Sequence, residues 1–124
     1  MPNGTEEDRP WPEELRLRPG GRALAVLFDN GEHYELTAEF LRVESPSAEV
    51  KGHGKGQEIT VPGKRNVTIH HIEPVGNYAV RLVFSDGHMT GLFSWTYLLK
   101  LGRDQPSLWQ AYLDRLRDEG LSRD

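Results

Sequence analysis

The chain of 124 residues is about one domain's worth, and its 36% hydrophobic and 27% charged residues suit one modest globular core. A formal net charge of -4 argues against a nucleic-acid binder, which usually carries a basic excess. The absence of cysteine excludes disulfides, thiolate catalysis, iron–sulfur ligation and cysteine-based zinc binding by this chain.

Residues 1–11, MPNGTEEDRPW, are acidic and interrupted by proline and glycine, and read as a disordered leader. They lack the apolar stretch of a signal peptide, and no run approaches the roughly 20 apolar residues of a membrane span. The expected location is the cytoplasm. From Leu15 the pattern becomes alternating, with strands at Leu15–Leu17 and Ala23–Phe28 separated by a Pro19-Gly20-Gly21 turn. Asp29-Asn30-Gly31 predicts a tight hairpin, because Asn-Gly accepts the positive φ that such turns demand. His33–Leu36 forms the return strand, and Thr37 caps a short helix over 38–42.

The same order recurs further on. Val80–Phe84 is a strand, Ser85-Asp86-Gly87 a turn, His88–Leu92 a return strand, and Ser94 the cap of a helix over 95–101, stopped by a left-handed Gly102. Phe28, Gly31, Leu36, Thr37, Phe40 and Leu41 match Phe84, Gly87, Leu92, Ser94, Tyr97 and Leu98, with one extra residue near Phe93. The chain therefore reads as two hairpin-plus-helix units closing over one interior. Between them, residues 44–66 are polar and glycine-rich, with a short extended piece at 59–61. Val67, Ile69 and Ile72 mark a further strand, turned at 74–77. Trp109, Tyr112, Leu113 and Leu116 fall at helical spacing and predict a C-terminal amphipathic helix over 106–119, ended by Gly120. The expected class is α+β, with small antiparallel sheets, two short helices and the C-terminal helix. The expected organisation is a leader at 1–11, a domain at 12–104, and a helical segment at 105–124 packed upon it.

Five histidines are the first candidates for chemistry. His70 and His71 are adjacent in a strand, so their rings should point to opposite faces and share no ligand. His33-Tyr34-Glu35 has the spacing of a His-x-carboxylate pair, but the chain is too short for the double-stranded β-helix that such iron sites need. Gly52-His53-Gly54-Lys55-Gly56 and Gly63-Lys64-Arg65 do not fit a phosphate-binding loop, because Arg65 stands where a hydroxyl is required and a strand follows. Ser94 and Ser107 read as helix caps, and no Gly-x-Ser-x-Gly elbow occurs. No catalytic constellation emerges, and a non-enzyme is expected. Lys51, His53, Lys55, Lys64 and Arg65 form a basic segment suited to an acidic partner. Trp95 beside His88 would mark a contact surface, since tryptophan concentrates at binding hot spots.

The stretches 24–42 and Phe84-Ser85-Asp86-Gly87-His88 with Ser94-Trp95-Thr96-Tyr97-Leu98 resemble the N-terminal domain of gamma-butyrobetaine hydroxylase and trimethyllysine hydroxylase. The resemblance runs from about Pro10 to Gly102. This domain also exists as a stand-alone bacterial family of unknown function, sometimes joined to an iron–sulfur carrier ATPase. In the hydroxylases it binds a structural zinc through a Cys-x-Cys-x-x-Cys cluster and a histidine. The corresponding positions here are Ser45, Ser47, Val50 and His88, and three of them are poor ligands or none, so no zinc is expected. The catalytic jelly roll is absent, so the resemblance implies a fold without oxygenase activity.

The expected function is a non-enzymatic interaction or oligomerisation module without a cofactor. Its candidate contact residues are Lys51, His53, Lys55, Lys64, Arg65, His88 and Trp95. The partner is another protein or a second copy, as the subunit-joining role of the similar domain implies, and neither nucleic acid nor membrane. The rival reading is a metal-handling or iron–sulfur-related accessory, suggested by the fusions and by His53 and His88.

Overall fold

The computed structural model describes residues 10–46 and 59–124. The first half runs β1 (Pro12–Leu17), a 3-10 turn (Pro19–Gly21), β2 (Ala23–Phe28), β3 (His33–Thr37) and α1 (Ala38–Val43). The second runs β4 (Ile69–Val75), β5 (Ala79–Phe84), β6 (Leu92–Ser94) and α2 (Trp95–Arg103), followed by α3 (Gln105–Glu119). Each half is a three-stranded antiparallel sheet with its strands in chain order. The class is α+β. Among the described residues no helix is long and apolar enough to cross a membrane.

The repeat extends to individual hydrogen bonds. The central strands β2 and β5 bury the same positions, so Leu24, Val26 and Phe28 meet Val80, Leu82 and Phe84 in one core. Burying each such side chain contributes roughly 1.5–3 kcal/mol. In the hairpin turns Phe28 N–H donates to Glu32 C=O at 2.8 Å and Phe84 N–H to His88 C=O at 3.0 Å. Gly31 and Gly87 close these turns at φ 93° and 91°, a region open to glycine. Thr37 and Ser94 hydroxyls both accept from the backbone N–H three residues on, at 3.1 Å, capping α1 and α2. Ahead of these caps, Ala38 N–H donates to Arg22 C=O at 2.8 Å and Trp95 N–H to Tyr78 C=O at 3.0 Å.

The two halves grip each other reciprocally. The end of α1 reaches the second hairpin, where Arg42 Nε donates to Asp86 at 2.8 Å and Ser45 Oγ lies 2.8 Å from His88 Nε2. The end of α2 reaches the first, where Arg103 donates to both carboxylate oxygens of Glu32, at 2.9 and 2.5 Å. In addition, Gly21, at φ 68°, lies so close to Ile69 that a Cβ there would overlap the Ile69 carbonyl.

Helix α3 starts directly after α2, with Asp104 ending one and beginning the other. Tyr112 and Leu116 are buried against Val43, and Trp109 meets Phe40 edge-on at 6.2 Å. Gly120 ends the helix at φ 68°. The tail then folds back along the loop before β4: Gly63 N–H donates to Ser122 C=O at 2.9 Å and Arg65 N–H to Arg123 C=O at 3.1 Å.

Four local expectations are corrected. His70 and His71 are both exposed, with ring centroids 6.4 Å apart, because a bulge between Ile69 and His71 breaks the alternation. β1 carries the matching bulge between Pro12 and Glu14. The return strand of the second hairpin is confined to Leu92–Ser94, since residues 88–91 leave the ladder and Gly91 packs against Ser45 and Pro46. Gly102 is not a left-handed stop: it is buried inside α2, where a Cβ would overlap the Tyr34 ring. Ser107 lies within the first turn of α3, its hydroxyl donating to Asp104 C=O, and does not cap the helix.

Candidate functional site

The cysteine-lacking region after α1 and the turn before β6 converge on a buried polar cluster. Ser45 is fully buried and His88 is 8% exposed. Beside them, Asp86 Oδ1 accepts the His88 backbone N–H at 3.1 Å, while Oδ2 accepts from Arg42 and from Lys64 Nζ, the latter at 2.6 Å. Burial pushes the Asp86 carboxyl up, but the hydrogen bonds from Lys64, the His88 amide and Arg42 outweigh it and hold the pKa at about 2. This cluster clamps a turn. Among the described residues no three His, Asp or Glu side chains come together as a metal-ligand set.

The expected contact residues are dispersed. Ser47, Val50, Lys51, His53 and Lys55 lie outside the described residues. His88 is not on a surface, because Ser45 and the α1 end cover it. Lys64 is drawn into the Asp86 clamp, and Arg65 pairs with Asp124 in the tail. Trp95 is half-buried at the start of α2, and its indole N–H donates to Asn77 C=O at 2.9 Å.

Around Trp95 the structure assembles a surface that the spacing of residues did not show. Trp11, 44% exposed, and Tyr78, 53% exposed, join Trp95, Pro10, Asn77 and Thr96 about a cleft of about 470 Å³. Trp11 is fixed by two hydrogen bonds to Asp29: its C=O accepts the Asp29 N–H at 2.8 Å and its N–H donates to Asp29 Oδ1 at 3.1 Å. The Trp95–Tyr78 backbone bond fixes the opposite wall. Trp11 lies in the segment expected as a leader, and Tyr78 directly follows the expected turn at 74–77. A tryptophan inside an otherwise polar segment was the one available signal.

The counterpart of this cleft in the other half lies at the same structural positions, with Arg22 in place of Tyr78 and Thr37 in place of Ser94. It is walled on its far side by Trp109 and Arg123 and has a volume of about 510 Å³. Arg123 donates to both carboxylate oxygens of buried Glu39, at 2.7 and 2.8 Å, and lies over the Trp109 ring at 5.2 Å. The pairing with Glu39 raises the pKa of Arg123.

Residues 15–99 match the family model described as gamma-butyrobetaine hydroxylase-like, N-terminal. No curated protein matches the chain. Two proteins with NMR solution structures are similar over most of their length. One is 51% identical, covering 95% of this chain and 88% of that one at a TM-score of 0.80. The other is 43% identical, covering 93% and 90% at a TM-score of 0.79. A crystal structure of a protein of unknown function from Acidithiobacillus ferrooxidans, placed in the DUF971 family, is 42% identical over 73% of this chain and 91% of that one, at a TM-score of 0.61. With the match spanning both hairpin-plus-helix units, this chain belongs to the gamma-butyrobetaine hydroxylase-like N-terminal domain family.

Proposed function

We propose that the domain is a non-catalytic protein-interaction module whose contact face is the Trp11–Tyr78–Trp95 cleft. The observation that carries this reading is the grouping of three aromatic side chains, two of them well exposed, about one open concavity. Large aromatic rings left in water at fixed backbone positions suit a partner that buries them, since such rings dominate interface energetics. A second copy of the chain is one such partner, in keeping with the subunit-joining role implied by the resemblance. The rival reading, a metal-handling accessory, is weakened by the Ser45–His88 hydrogen bond, which occupies one ring nitrogen of His88.

The test places a photo-crosslinking amino acid at Tyr78 and, as a control, at exposed Arg117 on α3. Crosslinks to a discrete protein at 78 alone, lost in Trp11→Ala, support the module. Equal labelling at both sites, or none at 78, overturns it. Sedimentation of the crosslinked product shows whether the partner is a second copy.

A further inference from the structure

The second cleft has a composition that the fold does not demand. Its lining carries three guanidinium groups, from Arg22, Arg65 and Arg123, against the single carboxylate of Glu39. Arg123 is committed to Glu39, and Arg65 to the Asp124 side chain. Arg22 has no carboxylate partner among the described residues and is exposed. The structural task at this position belongs to the backbone, whose C=O receives the Ala38 N–H. Tyr78 does the same for Trp95 in the other half, so packing does not call for an arginine at 22.

We propose that this cleft binds a carboxylate-bearing ligand with an apolar body. Arg22 and Arg65 hold the carboxylate, and Trp109 and Pro106 receive the body. The cavity already shows the chemistry twice: each of the other two arginines grips a carboxylate with two nitrogens, a geometry that guanidinium favours. The Asp124 carboxylate on Arg65 is 68% exposed, and such surface pairs are weak, so an incoming carboxylate displaces it at little cost. A volume of about 510 Å³ lies in the usual range for small ligands, roughly 300–1,000 Å³.

The carboxylate can belong to a free organic acid or to a protein segment, and two probes separate these sources. Phenylacetate represents the first, and a terminally blocked Phe-Glu-Phe tripeptide the second. Each is titrated into the full chain while the amide signals of Arg22 and Gln105 and the indole signal of Trp109 are followed by NMR, with phenylacetamide as the uncharged control. Saturable shifts at millimolar concentration or tighter, with either probe, support the site and identify its source. The Arg22→Gln variant is expected to weaken binding about tenfold, as loss of a charge-assisted hydrogen bond implies. Asp124→Asn is expected to tighten binding, and Tyr78→Ala to leave it unchanged, which keeps this result separate from the interaction face. No shift with either acid, equal binding of phenylacetamide, or undiminished binding by folded Arg22→Gln overturns the proposal.

Discussion

The Ser45 hydroxyl and the His88 imidazole lie 2.8 Å apart although 43 residues separate them in the chain, and both are buried. The contact joins the end of α1 to the second hairpin. Ser45→Ala removes this buried hydrogen bond. The expected loss of stability is about 1–3 kcal/mol, read from urea unfolding. A loss below about 0.5 kcal/mol would show that the pair is incidental.

Asp86 should make the fold acid-sensitive. Its carboxyl is held at about 2, below the ordinary 3.8, so its contribution is fully present above pH 3.8 and is lost as pH falls through 2. Glu32 acts in the same direction: the Arg103 guanidinium, then Tyr34 and Asn30, hold it at about 2 against an ordinary 4.5. Unfolding midpoints measured between pH 5 and pH 2, the range in which such carboxylates protonate, should therefore fall steadily. Asp86→Asn removes the charged acceptor shared by Arg42 and Lys64, and should lower stability at neutral pH by about 1–3 kcal/mol and flatten the acid dependence.

Gly102→Ala presses a methyl group into the Tyr34 ring inside the interface between α2 and β3. Alanine is normally the better helix residue by about 1 kcal/mol, so propensity alone predicts a gain. Overpacking is expected to win, with a net loss of about 1–3 kcal/mol in thermal or urea unfolding. A stabilised variant would mean that Tyr34 swings away freely.

Gly21→Ala and Gly87→Ala share the cost of a positive φ but differ in space. At 87 no atom lies within 4 Å of the added Cβ, whereas at 21 it runs into the Ile69 backbone, which cannot rotate aside. Gly87→Ala should cost about 1–2 kcal/mol. Gly21→Ala should cost more by at least about 1 kcal/mol and should separate β4 from the 3-10 turn, visible as faster amide exchange in β4.

The elements that local chemistry dictates were legible from the residues. Asn30-Gly31 and Asp86-Gly87 gave the hairpins, Thr37 and Ser94 the caps, and the matched series from Phe28 to Leu41 and Phe84 to Leu98 gave the duplication. The misreadings arise from a distant contact or from a local irregularity that the residue types do not announce. Gly102 follows a leucine-rich run and has the local look of a stop, yet its role is set by Tyr34, far back in the chain. His70 and His71 obey alternation until a bulge, which carries no glycine or proline to announce it, turns both outward. The aromatic cleft is invisible in one dimension because Trp11, Tyr78 and Trp95 come from three separate segments. Two of them also sit in stretches whose composition suggests only solvent.

The crossed attachment of the helices has a mechanical consequence. Each half completes the other, because Arg103 pairs with Glu32, Arg42 with Asp86, and the apolar faces of both sheets share one core. A chain cut between Pro46 and Ile59 should therefore yield two fragments that are each unstructured in isolation yet reassemble on mixing. The molecule is in this sense a pair of interlocked clasps held on one string, and opening either clasp releases both.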